Sequence, residues 1–307
     1  MPQSLTDQGI ATEFIDAGEL RFEVLTAGDP DAERLALLLH GFPEQAYSWR
    51  HQIPLLARLG YRVWAPNQRG YGHTSRPAER SAYHIDRLLD DVAALIDAAG
   101  KKSVTLIGHD WGGIVGWTFA LRKLRPLDRF VVMNLPHPQR FYEALQHKRQ
   151  RRRSLYAVFF QLPWLPEFVF KRKGARMIGE AFRSMAIDKS RFPEEVLDVY
   201  RSAALEPGAM TAMLNWYRAN RFTSTFERAT PMLETKTLMI WGEADTALGI
   251  EMTYETDALV RDFTLRYLPN ASHWVQQDAP EAVNEILEAW LRDEKVPGLD
   301  APSGQYG

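Results

Sequence analysis

The segment Val104-Thr-Leu-Ile-Gly-His-Asp110-Trp-Gly-Gly113 has the pattern of a strand, a sharp turn and the start of a helix. Glycines at 108 and 112 flank a single acid, Asp110. A turn of that kind is strained and leaves no room for side chains where helix and strand backbones meet. It lifts the residue at its apex out of the sheet, at a helix N-terminus whose dipole favours a carboxylate. An Asp that only caps the helix would give the same local pattern. Two later segments weigh against capping. Trp241-Gly-Glu-Ala-Asp245 closes a late apolar run with an acid, and Pro269-Asn-Ala-Ser-His273-Trp274 places a histidine after the last such run. A carboxylate, an orienting acid and an imidazole are the parts of a nucleophile with its general base. A hydroxyl nucleophile attacking saturated carbon would leave an ether, which water does not cleave. A carboxylate leaves an ester, whose carbonyl an imidazole-activated water can attack. Asp110 therefore points to substrates opened at saturated carbon, epoxides or alkyl halides, and away from ordinary esters.

These residues need a parallel sheet beneath them. Short apolar runs at Leu35–Leu39, Tyr61–Ala65, Val104–Ile107, Phe130–Met133, Thr237–Trp241 and Thr264–Leu268 have strand length and composition. Helical patterns lie between many of them, at Tyr47–Leu59, Ile85–Ala99, Trp111–Lys123 and Pro280–Leu291. Such alternation indicates βαβ units with helices on both faces of one sheet. Glu13–Ile15 and Leu20–Leu25 form an antiparallel pair around Ala17–Gly18. The alternation stops between Met133 and Thr237, a strand-free stretch rich in Tyr, Trp and Phe and punctuated by Pro163, Pro166, Pro193 and Pro207. A helical insertion there would cover the carboxyl edge of the sheet, where α/β proteins place ligands. The expected organisation is a discontinuous core, residues 1–137 and 230–307, and a helical cap, residues 138–229. The Pro/Gly/Ser-rich tail from Lys295 is expected to be poorly ordered. The run Lys148-Arg-Gln-Arg-Arg-Arg153 is the strongest charge cluster. Without interleaved aromatics or a wider basic surface, it is expected to be a solvated helix end on the cap, not a nucleic-acid patch.

Composition removes other classes. The 307 residues carry 37 Lys and Arg against 39 Asp and Glu, and no cysteine. That excludes a disulfide scaffold, a thiol nucleophile and Cys-ligated metal or iron–sulfur sites. A net charge of −2 argues against bulk binding to nucleic acid or acidic membranes. The start, MPQSLTDQGIATEF, has neither a basic nor an apolar signal region, and no apolar run is long enough to span a membrane. A cytoplasmic protein is expected. No HExxH or EF-hand spacing occurs, so neither metal nor cofactor is expected.

With the motifs HGFPE (40–44), PNQRGYG (66–72), GHDWGG (108–113), NLPHP (134–138), LNWYR (214–218), WGEAD (241–245) and SHWVQQDAPEAVN (272–284) in this order, the chain resembles α/β-hydrolases of the epoxide hydrolase branch. The order of nucleophile, acid and histidine is that of the α/β-hydrolase fold. The resemblance implies that fold, with a triad of Asp110, Asp245 and His273. It implies an oxyanion hole from the backbone N–H groups of Phe42 and Trp111. It also implies two cap tyrosines that hydrogen-bond the epoxide oxygen, Tyr156 in SLYAVFFQLP and Tyr217 in LNWYR. A phenol suits that role because it keeps its proton at neutral pH. The substrate pocket is then expected around Phe42, Trp111, Tyr156 and Tyr217, with a small epoxide and water as partners. Related sequences commonly have Asp at the position of Asn67.

Two neighbouring readings stay open on the residues. A hydrolytic dehalogenase would use the same nucleophile, and Trp111 occurs in both groups. Fluoroacetate dehalogenases share HGFP and the tyrosine at 217, but carry arginines where this chain has Trp111 and Ile114, and a triad acid where it has Asn134. A ligand-binding protein on the same scaffold would not need the triad. His109 is expected to pack under the elbow, His137 to order the junction with the cap, and Phe42–Pro43 to hold a cis peptide. Glu44 is open between orienting a water or the histidine and a structural hydrogen bond. A homodimer is compatible with all of this.

Overall fold

The protein is described by a computed structural model covering residues 5–220 and 229–304. One eight-stranded sheet runs through it, in the order β1-β2-β4-β3-β5-β6-β7-β8. Strands β1 (Ala11–Ala17), β2 (Leu20–Ala27) and β4 (Tyr61–Pro66) pair antiparallel across the β1–β2 and β2–β4 junctions. From β4 through β3 (Arg34–Leu39), β5 (Ser103–His109), β6 (Arg129–Met133), β7 (Lys236–Gly242) and β8 (Phe263–Leu268), all pairing is parallel. The apolar runs of β3, β5, β6 and β7 are buried throughout their centres, which is why they show no alternation of polar and apolar residues.

Helices cover both faces. On one face α2 (Ile85–Ala99) buries Leu88, Leu89, Val92, Leu95 and Ile96 at helical spacing and ends at the left-handed Gly100. Helix α3 (Trp111–Leu121) is buried on nearly every side, so its sequence is apolar all round. The helix expected over Tyr47–Leu59 is instead a 3₁₀ turn, Ala46–Trp49, followed by α1, Ile53–Arg58. Pro54 explains the split: it fits the first turn of a helix but cannot continue one from upstream. Helix α3 likewise stops at Leu121, two residues short of the expected Lys123, which is left-handed.

Between β6 and β7 the described residues contain helices α4 (Pro138–Ala144), α5 (Lys148–Arg153), α6 (Leu155–Phe159), α7 (Leu165–Met185), α8 (Glu194–Leu205) and α9 (Ala209–Ala219). Helix α7 is broken at Arg172–Ala175, where three successive residues are left-handed. The segment expected to close this helical stretch includes residues 221–228, which lie outside the described residues. The tail differs from expectation as far as residue 304. Leu299 bridges to Tyr267 of β8, Arg266 binds the carbonyls of Val296 and Pro297, and the Ser303 N–H and hydroxyl bind Glu243. An exposed strand edge with unpaired backbone groups gives a polar tail something to pair with. The last expected tail residues, 305–307, are outside the described set.

Candidate active site

Five parallel strands deliver their carboxyl ends to one edge of the sheet. Leu39 pairs with Gly108, His109 with Met133, Met133 with Ile240, and Gly242 with Leu268. The loops that leave these ends carry Phe42, Asp110, Asn134, Asp245 and His273. Asp110 sits at φ 49° and ψ −120°, the strained apex expected of the elbow. Two glycines make that geometry possible. A Cβ at Gly112 would fall on the Leu39 carbonyl, and one at Gly41 on the Asp110 side chain.

The three triad candidates meet. His273 Nε2 lies 3.7 Å from Asp110 Oδ2, and His273 Nδ1 lies 2.7 Å from Asp245 Oδ2. Burial disfavours the imidazolium, but the Asp245 and Asp110 carboxylates outweigh it and raise the ring to about 10. Burial would raise Asp110 too. The His273 contacts, with the Phe42 N–H, override it and hold the acid below its ordinary value. Asp245 behaves alike, lowered against burial by His273, the Leu248 N–H and Asn134. Phe42 donates its N–H to Asp110 Oδ1 at 2.8 Å, across the cis Phe42–Pro43 turn. Trp111 follows Asp110 directly as the first residue of α3, and its N–H makes no hydrogen bond to the carboxylate here.

The two expected tyrosines face this edge from α6 and α9. Their rings are 6.2 Å apart, and Tyr217 packs edge-on against Phe42 and Trp111 at 5.2 and 5.1 Å. Burial, reinforced by the negative charge of Asp110, holds both phenols well above their usual range, so both stay protonated at neutral pH. The Trp111 side chain beside it acts against that trend and lowers Tyr217, as an N–H directed at the phenol oxygen does. A cavity of about 180 Å³ lies between these groups, lined by Phe42, Asp110, Tyr156, Phe160, Tyr217 and His273 among others. Two larger clefts, of about 360 and 560 Å³, open elsewhere on the surface; their linings include neither Asp110 nor His273.

Beneath the triad is a second buried layer. Glu44 accepts hydrogen bonds from the Gly41 N–H, His109 Nδ1, Gln276 and Gln277. Its carboxylate is thus fully engaged in structure, away from the cavity. The other nitrogen of His109 is 2.8 Å from the His273 carbonyl, so His109 ties the elbow to the histidine loop. His137 caps α4 and reaches Thr230, joining the two sides of the helical stretch. Asn67 accepts from the Ala46 N–H and donates to Glu23, a pattern that an Asp could not complete. Asn134 is the residue whose positive role the sequence did not reveal. At φ 41° it donates to Asp245 Oδ2 at 2.8 Å and accepts from the Gly242 N–H at 2.9 Å. Its place directly after β6 was the available signal. Phe170, Ala181 and Met185 also line the cavity without any local motif, as do Phe160 and Trp274 from segments singled out for their neighbours Tyr156 and His273.

The alpha/beta hydrolase fold family matches residues 37–280. The chain is 38% identical to epoxide hydrolase 4 of Homo sapiens, over 95% of this chain and 82% of that one. It is 33% identical to epoxide hydrolase A of Mycobacterium tuberculosis, over 92% and 98% of the two chains. The crystal structure of Bacillus megaterium epoxide hydrolase in complex with an inhibitor superposes with a TM-score of 0.84, at 27% identity, covering 91% of this chain and all of the other. By fold, motif order and kinship, the chain belongs to the α/β-hydrolase fold family, in its epoxide hydrolase branch.

Proposed function

We propose that this hydrolase adds water to an epoxide and releases a vicinal diol, through an ester on Asp110. The observation that carries the reading is a carboxylate nucleophile faced by two phenols held in their protonated form. Asp110 attacks an epoxide carbon, and the C–O electron pair moves to the ring oxygen, which accepts hydrogen bonds from Tyr156 and Tyr217. Esterification removes the Asp110 charge, one of the two that hold the His273 proton. The ring then gives up that proton, and the new alkoxide takes it. Neutral His273, oriented by Asp245, next removes a proton from water as the water attacks the ester carbonyl. The Phe42 and Trp111 N–H groups face the developing oxyanion. Collapse releases the diol and restores the carboxylate and the imidazolium.

Dehalogenation is the competing chemistry. A halide leaves without a proton and is held by donors such as the Trp111 indole N–H, so it has no use for two protonated phenols. We take residues 1–137 and 230–307 as the catalytic core and 138–229 as the cap that supplies the tyrosines. No described helix is long and apolar enough to cross a membrane. The reaction needs a small epoxide and water, and every group in it comes from one chain, in a cytoplasmic setting, whether or not two copies pair. A panel of terminal epoxides, haloalkanes and haloacetates, assayed for diol and halide together, tests the reading. Diol without halide is expected; halide without diol would replace the proposal with dehalogenation.

A further inference from the structure

One stretch of surface differs from the rest in two respects. The first is apolar exposure. Twelve large hydrophobic side chains are exposed among the described residues, and half of them, Leu155, Val158, Leu162, Trp164, Phe168 and Met177, fall within 155–177. The others are scattered singly along the chain, which is ordinary for a folded protein. Leu155 and Val158 lie one turn apart on α6, Leu162 and Trp164 lie in the connection that follows, and Phe168 is on the first turns of α7. Trp164 is 71% exposed. Tyr156, Phe160 and Phe170, from the same stretch, line the cavity, so this wall has an inner aromatic side and an outer greasy one.

The second respect is charge. Residues 147–177 hold nine Lys and Arg against one carboxylate, Glu167, in a chain whose net charge is −2. Glu167 is itself committed to Arg218 through paired hydrogen bonds. Exposed cations flank the apolar run at both ends, Lys148, Arg149, Arg151 and Arg152 before it and Arg172 and Lys173 after it. None of these six forms an ion pair among the described residues. Arg172 lies over the Phe168 ring, 5.6 Å from its centre, and joins the second basic group to the apolar face. The run 148–153 is thus followed, across the apolar residues, by a second basic group at 171–176.

A concentration of exposed Trp, Phe, Leu and Val in one short stretch marks a contact site. A second copy of the chain would cover it only by setting one basic rim against another, which like-charge repulsion opposes. A phospholipid bilayer with anionic headgroups offers a partner for both features. Its headgroup boundary takes tryptophan and aliphatic side chains, and its negative surface potential takes the basic rim. We infer that the outer face of residues 148–177 docks on an anionic phospholipid surface, peripherally and with no segment crossing it. The lipid phase, where apolar small molecules concentrate, then lies one helix away from the cavity.

Co-sedimentation of the full chain with unilamellar vesicles tests this. Phosphatidylcholine vesicles containing ~30% phosphatidylserine are compared with pure phosphatidylcholine, at ~50 and ~300 mM salt. The expected result is at least about tenfold tighter binding to the anionic vesicles, weakening as salt rises. Trp164→Ser with Phe168→Ser, and separately Arg172→Glu with Lys173→Glu, should each lower the affinity at least about tenfold. An unchanged thermal unfolding midpoint shows that the variants are folded. Absence of sedimentation with anionic vesicles overturns the inference, as does sedimentation that both double variants leave intact. Retardation of a nucleic-acid duplex by the same cations, without vesicle binding, overturns it in favour of that partner. A dimer that Trp164→Ser dissolves overturns it in favour of a second copy.

Discussion

Asp110, Asp245 and His273 stand on loops leaving three strands of one sheet, whereas Tyr156 and Tyr217 stand on helices α6 and α9 of the insertion. On the sheet side, position is fixed by backbone: the strained elbow, the pairing of strand ends, and N–H groups of Phe42, Ala247 and Leu248 that grip the two carboxylates. On the helix side, position is fixed by packing of rings, Tyr217 against Phe42, Trp111 and Phe160. Backbone-fixed geometry demands particular residues, glycines above all. Ring packing accepts any side chains that fill the space. The division also separates the chemistry. In the proposed mechanism the sheet side makes and breaks the ester, and the helix side receives the leaving oxygen.

That separation is open to direct challenge. Removing the nucleophile should have the largest effect: Asp110→Ala is expected to lower diol formation by about 10⁴-fold or more, with the fold retained by circular dichroism. Asp245→Asn should lose on the order of 10³-fold, almost all of it in ester hydrolysis, so that a single-turnover experiment accumulates ester. Tyr156→Phe and Tyr217→Phe should each cost about 10²-fold in the opposite step, ester formation, with hydrolysis of the preformed ester little changed. If a tyrosine variant slows ester hydrolysis instead, the two sides are not divided as described. Asn134→Ala removes the clasp on Asp245 and should cost about tenfold in ester hydrolysis, together with roughly 1–3 kcal/mol of stability by urea unfolding.

A smaller effect concerns pH. His273 is raised in the folded protein above its unfolded value of 6.5 to about 10. Its contribution to stability is therefore fully present below pH 6.5 and is lost as pH rises through about 10. Asp110 and Asp245 are lowered from 3.8, so their contribution is present above that value and fades as pH falls through their folded values. The stability gap between the native protein and His273→Gln should therefore narrow as pH rises from 6.5 to 10 in urea unfolding. A gap constant across that range would mean that the imidazolium is not held between the two acids.

The same division sets what could be read from sequence. Asp110, Asp245 and His273 could be singled out because each follows a strand in a motif with a local reason, and Phe42 came from the resemblance. The sheet was legible for the same reason, through its uninterrupted apolar runs. Pro54 carried enough information to split the helix expected at Tyr47–Leu59, but apolar spacing masked it. The order of the tail was hidden because its partners on β8 and Glu243 are distant in sequence. Asn134 was visible only as the absence of an acid, since its function depends on a bond to Asp245 across two strands. Tyr156 and Tyr217 came from resemblance, and Phe160, Phe170 and Met185 from neither route. Cavity-lining side chains on helices obey no local rule beyond being apolar.

The ester on Asp110 remains the central claim, and one measurement reaches it. His273→Gln, mixed with styrene oxide and digested, should give the peptide containing Asp110 with an added mass equal to one epoxide, and that adduct should persist. Folded His273→Gln protein with no adduct on Asp110, while the native protein forms diol from the same epoxide, would contradict the covalent route.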